Sequence, residues 1–140
     1  MSSALWPLVR NHCRPLLTPG FGLLAAAGFT AWLLPAPGTR IGLGWVFFAA
    51  LAEEIAFRFG LQHVLERLFS RRVPSVGPHL ANLGASGVFA LSHLVHHPPV
   101  WALVTFVPSL AFGWLWTRHR NLLPCWALHS LYNILYFYRP

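Results

Sequence analysis

The sequence predicts an all-α fold, a polytopic membrane helix bundle of about five transmembrane helices with its N-terminus inside. Three observations carry this. Only 9% of the 140 residues are charged while 56% are hydrophobic, and soluble domains carry about 25% charged residues. Apolar stretches close to the roughly 20 residues that cross a bilayer recur between short turns bearing Pro or Gly. The arginines gather in every second turn, as loops on the inner side of a membrane do.

The elements follow in order. Leu16 to Leu34 is the first candidate, closed by Pro35-Ala36-Pro37-Gly38. Ile41 to Leu65 is the second and contains unexpected charges. The third, Leu80 to Val95, holds the small residues Ala81, Gly84, Ala85, Ser86 and Gly87, which allow close approach of neighbours. It stops at His96-His97-Pro98-Pro99, and Val100 to Thr117 and Leu122 to Tyr138 complete the set. Pro108 and Pro124 lie inside or at the edge of spans, where a membrane helix tolerates them. Trp6, Trp101, Trp116, Tyr136 and Tyr138 fall near span ends and read as interfacial anchors. With no repeat or low-complexity linker, residues 1–140 read as one integral membrane domain. The first 15 residues hold Arg10, Arg14 and Pro15 and lack the apolar core of a signal peptide.

Charge placement sets the orientation and the partners. Arg10, Arg14, Arg67, Arg71, Arg72, Arg118 and Arg120 fall on one side, Arg40 and Arg139 on the other. Seven against two places the N-terminus inside and the C-terminus outside, in a multi-pass protein of the cell membrane. The net charge of +7 sits in separate loops instead of on one face, so the expected partner is the lipid bilayer and not nucleic acid. Aromatic content of 15% excludes a disordered tail, and two cysteines exclude a disulfide scaffold. Cys13 and Cys125 read as free thiols.

In such a chain the polar residues inside spans are the informative ones, since each buried charge costs about 2.5–3.5 kcal/mol on insertion scales. The second span carries Glu53, Glu54 and Arg58. Glu54 and Arg58 are four apart and share a helix face, so they pair. Glu53 lies about 100° around the helix and keeps no cation of its own, which suits a general base. One acid would serve a packing pair; the second asks for chemistry. Glu66, beside Arg67, reads as a solvated surface charge. In the third span Phe89 and His93 are four apart, and His96 and His97 read as interfacial. In the fifth, His129 and Asn133 stand one above the other and form a donor pair able to hold a developing oxyanion. Taken singly, such a pair is accounted for by interhelical hydrogen bonding. Thr105, Ser109, Ser130 and Tyr132 read as packing or helix-bonding groups. At 1.5 Å per residue, Glu53 and His93 lie roughly 20 Å from the inner ends of their spans, Asn133 roughly 16 Å and His129 roughly 10 Å. Tilt absorbs the difference, so the groups can meet in one cavity.

Glu53-Glu54-x-x-x-Arg58, then Phe89-x-x-x-His93, then His129-x-x-x-Asn133, in that order on separate apolar helices, resembles the CAAX-protease and bacteriocin-processing family of glutamic-type intramembrane endopeptidases. The resemblance covers about Ile41 to Tyr138. It implies that Glu53 activates a water, that His93 helps to position it, and that Glu54 with Arg58 braces the site. His129 and Asn133 would form the oxyanion hole, with Phe89 on the substrate side. No cofactor and no metal are implied, and no His-Glu-x-x-His pair is present. The implied partner is a membrane-associated peptide or protein substrate, such as a C-terminal sorting signal, a prenylated CAAX protein or a precursor peptide. Two alternatives use other chemistry. His93 and His129 could serve as axial ligands of a haem, which leaves Glu53, Glu54 and Arg58 without a role. A non-catalytic immunity or scaffold protein could keep the fold as a binding groove.

Overall fold

A computed structural model describes residues 11–38, 41–95 and 97–139. Trp6, Arg10, Arg40 and His96 lie outside the described residues. Every regular element among the described residues is helical, and helices occupy each of the five stretches read from the sequence.

Helix α1, Pro19–Ala27, follows a 3-10 turn at Arg14–Leu17 and starts where Thr18 Oγ1 accepts the Phe21 N–H at 3.3 Å. Proline at its first position has no N–H to leave unpaired there. The chain tightens to a 3-10 helix over Gly28–Leu33 and ends ahead of Pro35, which disfavours helical geometry in the residue before it. Helix α2, Leu43–Glu54, runs without a break through a π-helical segment, Ile55–Gln62, into α3, His63–Ser70. Helix α4, Gly77–Ser92, ends in a 3-10 turn at His93–Val95. A Cβ on Gly77 would lie 2.6 Å from the Ser70 nitrogen, so only glycine lets α4 begin this close to the end of α3. Helices α5, Pro99–Val104, and α6, Phe106–His119, are jointed at Thr105. Pro108 gives the reason: it lacks an N–H, and its ring crowds the carbonyl four residues back, at Val104. Asn121 caps α7, Leu122–Phe137, its Oδ1 accepting the Leu123 N–H at 3.0 Å.

The apolar core lies between α6 and α7, where Phe112, Leu115, Trp116, Cys125 and Leu128 are buried, with Phe21 and Leu24 of α1 packed against them. Long-range hydrogen bonds tie the outer helices to α7. Tyr132 donates to the Leu24 carbonyl at 2.7 Å, Trp32 Nε1 to Leu135 at 3.1 Å, and Trp126 Nε1 to Phe47 at 2.9 Å. Both cysteines are free thiols, as expected.

Beside this apolar core, charged and polar side chains are buried and large apolar ones face outward. Glu54, Arg58, Gln62 and Glu66 are buried, while Trp45, Phe48, Phe59, Leu91, Leu103 and Val107 are exposed on outer helix faces. Soluble monomers rarely expose contiguous apolar patches beyond a few hundred Å². By length and composition, Pro99–His119, 21 residues, is able to cross a membrane, and Asn11–Leu17 with Pro19–Leu33 qualifies as a span bent by 59°. Helices α4 and α7 have 16 residues each, under the roughly 20 of a full crossing, and α2 to α3 carries the charges.

Three expectations need correcting here. Trp116, expected at the interface, is 4% exposed and packs edge-on against Phe59 and His63. Glu66 is not a solvated surface charge: it is 3% exposed, and its cation is Arg120 instead of the neighbouring Arg67. The small-residue face of α4 packs through Ala81, Ala85 and Ser86, whereas a Cβ on Gly87 would meet open space.

Candidate active site

The site begins where α2 changes to π winding. Glu54 is the last α-helical residue and Arg58 lies in the π segment. Residues four apart on an α-helix drift about 40° per step, so a row of four would wander about a third of the way round. The wider π turn, bonded i to i+5, turns that drift back. As a result Glu54, Arg58, Gln62 and Glu66 all face the interior, at 0%, 0%, 0% and 3% exposure.

Glu54 and Arg58 pair as the spacing predicts, with Arg58 Nε donating to Glu54 Oε2 at 3.2 Å. Removing one member of such a buried pair leaves an uncompensated charge, a cost of about 3–5 kcal/mol. Arg58 also donates from Nη1 to Gln62 Oε1 at 3.1 Å and from Nη2 to Ser109 Oγ at 2.6 Å. Ser109, read from the sequence as a packing or helix-bonding group, therefore belongs to the site, and so does Gln62. The signal for Gln62 and Glu66 was present in the sequence as an unbroken Glu-x-x-x-Arg-x-x-x-Gln-x-x-x-Glu row. Ser109 had no such signal, since only the packing of α6 against the π segment brings it to Arg58.

Glu54 Oε1 is the partner of His129 Nδ1 at 2.8 Å. A carboxylate only accepts, so His129 donates from Nδ1 and presents Nε2 to the site. That Nε2 lies 3.6 Å from Glu53 Oε2, and the Glu53 side chain is 37% exposed. The two adjacent acids thus have different environments. Glu54 is buried and fixes the imidazole; Glu53 stands at the accessible edge. The His129 ring is held flat against Phe112, with centroids 4.7 Å apart and planes 15° from parallel, and Phe89 meets it edge-on at 5.9 Å.

His93 reaches the same neighbourhood from the end of α4. Its Nδ1 bonds the Phe89 carbonyl at 2.8 Å. A carbonyl only accepts, so Nδ1 carries the proton and Nε2 is left as an acceptor. No hydrogen bond or ion pair joins His93 to Glu53 among the described residues. What links the helices is Phe89, whose ring contacts His93 at 4.6 Å, Phe57 at 5.0 Å and the Arg58 guanidinium at 5.8 Å. Phe89 is 2% exposed and offers a substrate next to no surface; its place is between the site residues. Asn133 lies one turn beyond His129, half-buried, and its side chain makes no hydrogen bond among the described residues. Among those residues, no group of three or more His, Cys, Asp or Glu side chains is arranged to hold a metal ion.

A carboxylate–imidazole centre, braced by a buried arginine and enclosed by helices with apolar outer faces, defines the class: a membrane-type helical protein with ionisable side chains gathered in its interior. The particular family follows from comparison with known proteins. The family of type II CAAX prenyl endopeptidases described as Rce1-like matches residues 35–135, and the chain belongs to it. Membership implies a membrane-embedded hydrolase of the CAAX protease type. No curated protein and no solved structure matches the chain.

Proposed function

We propose that this protein is an intramembrane glutamic-type endopeptidase that hydrolyses a peptide bond of a membrane-associated substrate. The observation that carries the reading is His129, set between the buried Glu54 at 2.8 Å and the accessible Glu53 at 3.6 Å. Glu53 takes a proton from a water as its oxygen attacks the scissile carbonyl carbon. The carbonyl electron pair moves onto oxygen, and the oxyanion accepts hydrogen bonds from the Asn133 amide and from Nε2–H of His129, which in this step is the imidazolium with its Nδ1–H held by Glu54. Collapse breaks the C–N bond, and Glu53 returns its proton to the leaving amine. His93 Nε2, an acceptor, holds the attacking water by its other proton. Glu54 and Arg58 touch no substrate; they set the angle of the His129 ring.

We further infer a multi-pass arrangement in the cell membrane with the N-terminus inside. Seven arginines against two across the turns and the apolar outer faces of the helices support it. The substrates we propose are a C-terminal sorting signal, a prenylated CAAX peptide or a precursor peptide.

The test is cleavage of a panel of these peptides, each carrying a membrane anchor, by the purified full chain, with products read by mass spectrometry. Glu53→Ala, His93→Ala and His129→Ala are expected to abolish cleavage while the protein still inserts. Wild-type turnover by Glu53→Ala on a confirmed substrate overturns the assignment of the base.

A further inference from the structure

Arg120 is the one non-glycine residue with positive φ among the described residues, at φ 50° and ψ 38°. It follows the last residue of α6, a position where glycine is the usual occupant because a Cβ is unfavourable there. An arginine in that conformation needs a compensating interaction, and its side chain supplies one: Arg120 Nη1 pairs with Oε2 of the buried Glu66. Glu66 Oε1 in turn accepts from Thr117 Oγ1 at 2.8 Å and from Gln62 Nε2 at 3.3 Å.

Gln62 is the link between this pair and the site. Its Nε2 also donates to the Gly113 carbonyl and Thr117 Oγ1, both at 3.0 Å. Arginine can only donate, while Glu66 and the Gly113 carbonyl can only accept. Gln62 therefore has one allowed amide orientation, oxygen to Arg58 and nitrogen to Glu66. The row reads acceptor, donor, amide, acceptor, donor, from Glu54 through Arg58, Gln62 and Glu66 to Arg120, with two opposite-charge pairs insulated by one neutral amide. No member can turn over without breaking a neighbour's bond.

We propose that Gln62, Glu66 and Arg120 are positioning residues for the reaction: a hydrogen-bonded row, anchored at the α6–α7 turn, holds Arg58 and through it the Glu54 carboxylate in register with His129. The functional part of this proposal rests on the peptidase reading. The row also explains why the α6–α7 turn uses arginine where glycine would suit the backbone. If Arg120 only terminated the helix, Arg120→Gly would preserve or improve the protein. The row demands the opposite.

The experiment uses the full chain in detergent or nanodiscs. Arg120→Gly is expected to lower kcat by about tenfold to a hundredfold, the scale of a small misplacement of catalytic groups, with KM within about twofold. Arg120→Lys, which keeps the charge, restores kcat to within about threefold of wild type. Should Arg120→Gly fail to fold, Glu66→Gln keeps an acceptor for Thr117, removes the ion pair, and is expected to show the same kcat-only loss. Wild-type kcat in both variants overturns the proposal. A second readout does not depend on turnover: the ¹⁵N resonance of His129 Nδ1, assigned by its loss in His129→Gln, shifts or broadens in Arg120→Gly as its bond to Glu54 loosens. An unchanged resonance overturns the row even if no peptide is cleaved, whereas absence of cleavage by the wild type overturns the peptidase reading alone.

Discussion

Replacing Glu54 by glutamine tests the centre of the site. The side chain keeps its size and loses its charge. In the native protein the two oxygens have separate tasks: Oε2 accepts from Arg58 Nε at 3.2 Å and Oε1 from His129 Nδ1 at 2.8 Å. A glutamine has one oxygen and one NH2 group, so both bonds survive only with the oxygen on Arg58 and the His129 proton moved from Nδ1 to Nε2. The negative charge is lost however the amide turns. Arg58, fully buried, is also left without its counter-charge, since its other partners are Gln62 and Ser109. Breaking a buried pair in this way costs about 3–5 kcal/mol. Scaled as for soluble domains of this size, that lowers the melting temperature by about 10–15 °C. The assay is thermal unfolding of purified protein in a single detergent, followed by the tryptophan signal, with cleavage measured in parallel. Turnover is expected to fall along with stability because His129 loses the carboxylate that holds its Nδ1 proton. A Glu54→Gln protein that melts within about 2 °C of wild type would refute the reasoning, because water would then have to reach and screen Arg58.

Glu53→Gln, by contrast, removes a carboxylate that is 37% exposed and that faces His129 Nε2 at 3.6 Å. Stability should stay within about 0.5–1 kcal/mol while cleavage falls by at least about a hundredfold; a coupled fall in both would make Glu53 structural. Gly113→Ala places a methyl group against the Asn82 side chain and 2.7 Å from Gln62 Oε1, and is expected to cost about 3 kcal/mol or more, read as a lower melting temperature or loss of monodisperse protein. Ser109→Ala deletes the 2.6 Å bond from Arg58 Nη2 and should cost about 1.5–3 kcal/mol, the range for hydrogen bonds to charged groups, in the same melting assay. Chelators should leave turnover unchanged, since Glu53 is the proposed base; inhibition reversed by zinc would transfer that role to a metal.

The positions of the helices were legible because hydropathy and Pro/Gly punctuation are local signals. Each apolar stretch became a helix, and Pro35 and Pro108 mark an ending and a joint as their chemistry requires. Glu54 with Arg58 was legible for the same reason, being a contact within one helix. The π segment was not, since nothing in Ile55–Gln62 distinguishes π from α winding in one dimension. Its consequence was therefore missed. Glu66, read by its neighbour Arg67 as a surface charge, instead continues the row that begins at Glu54 and finds its cation 54 residues away. That failure is informative about this kind of chain. Where water is scarce, a charge cannot be left to solvent, and every acid must be assigned a cation before any is called superficial. Applied to three glutamates, the rule pairs Glu54 with Arg58 and Glu66 with Arg120, and leaves Glu53 facing an imidazole already committed to Glu54. The carboxylate without an arginine is the one that stands at the accessible edge, where a water and a peptide bond can reach it.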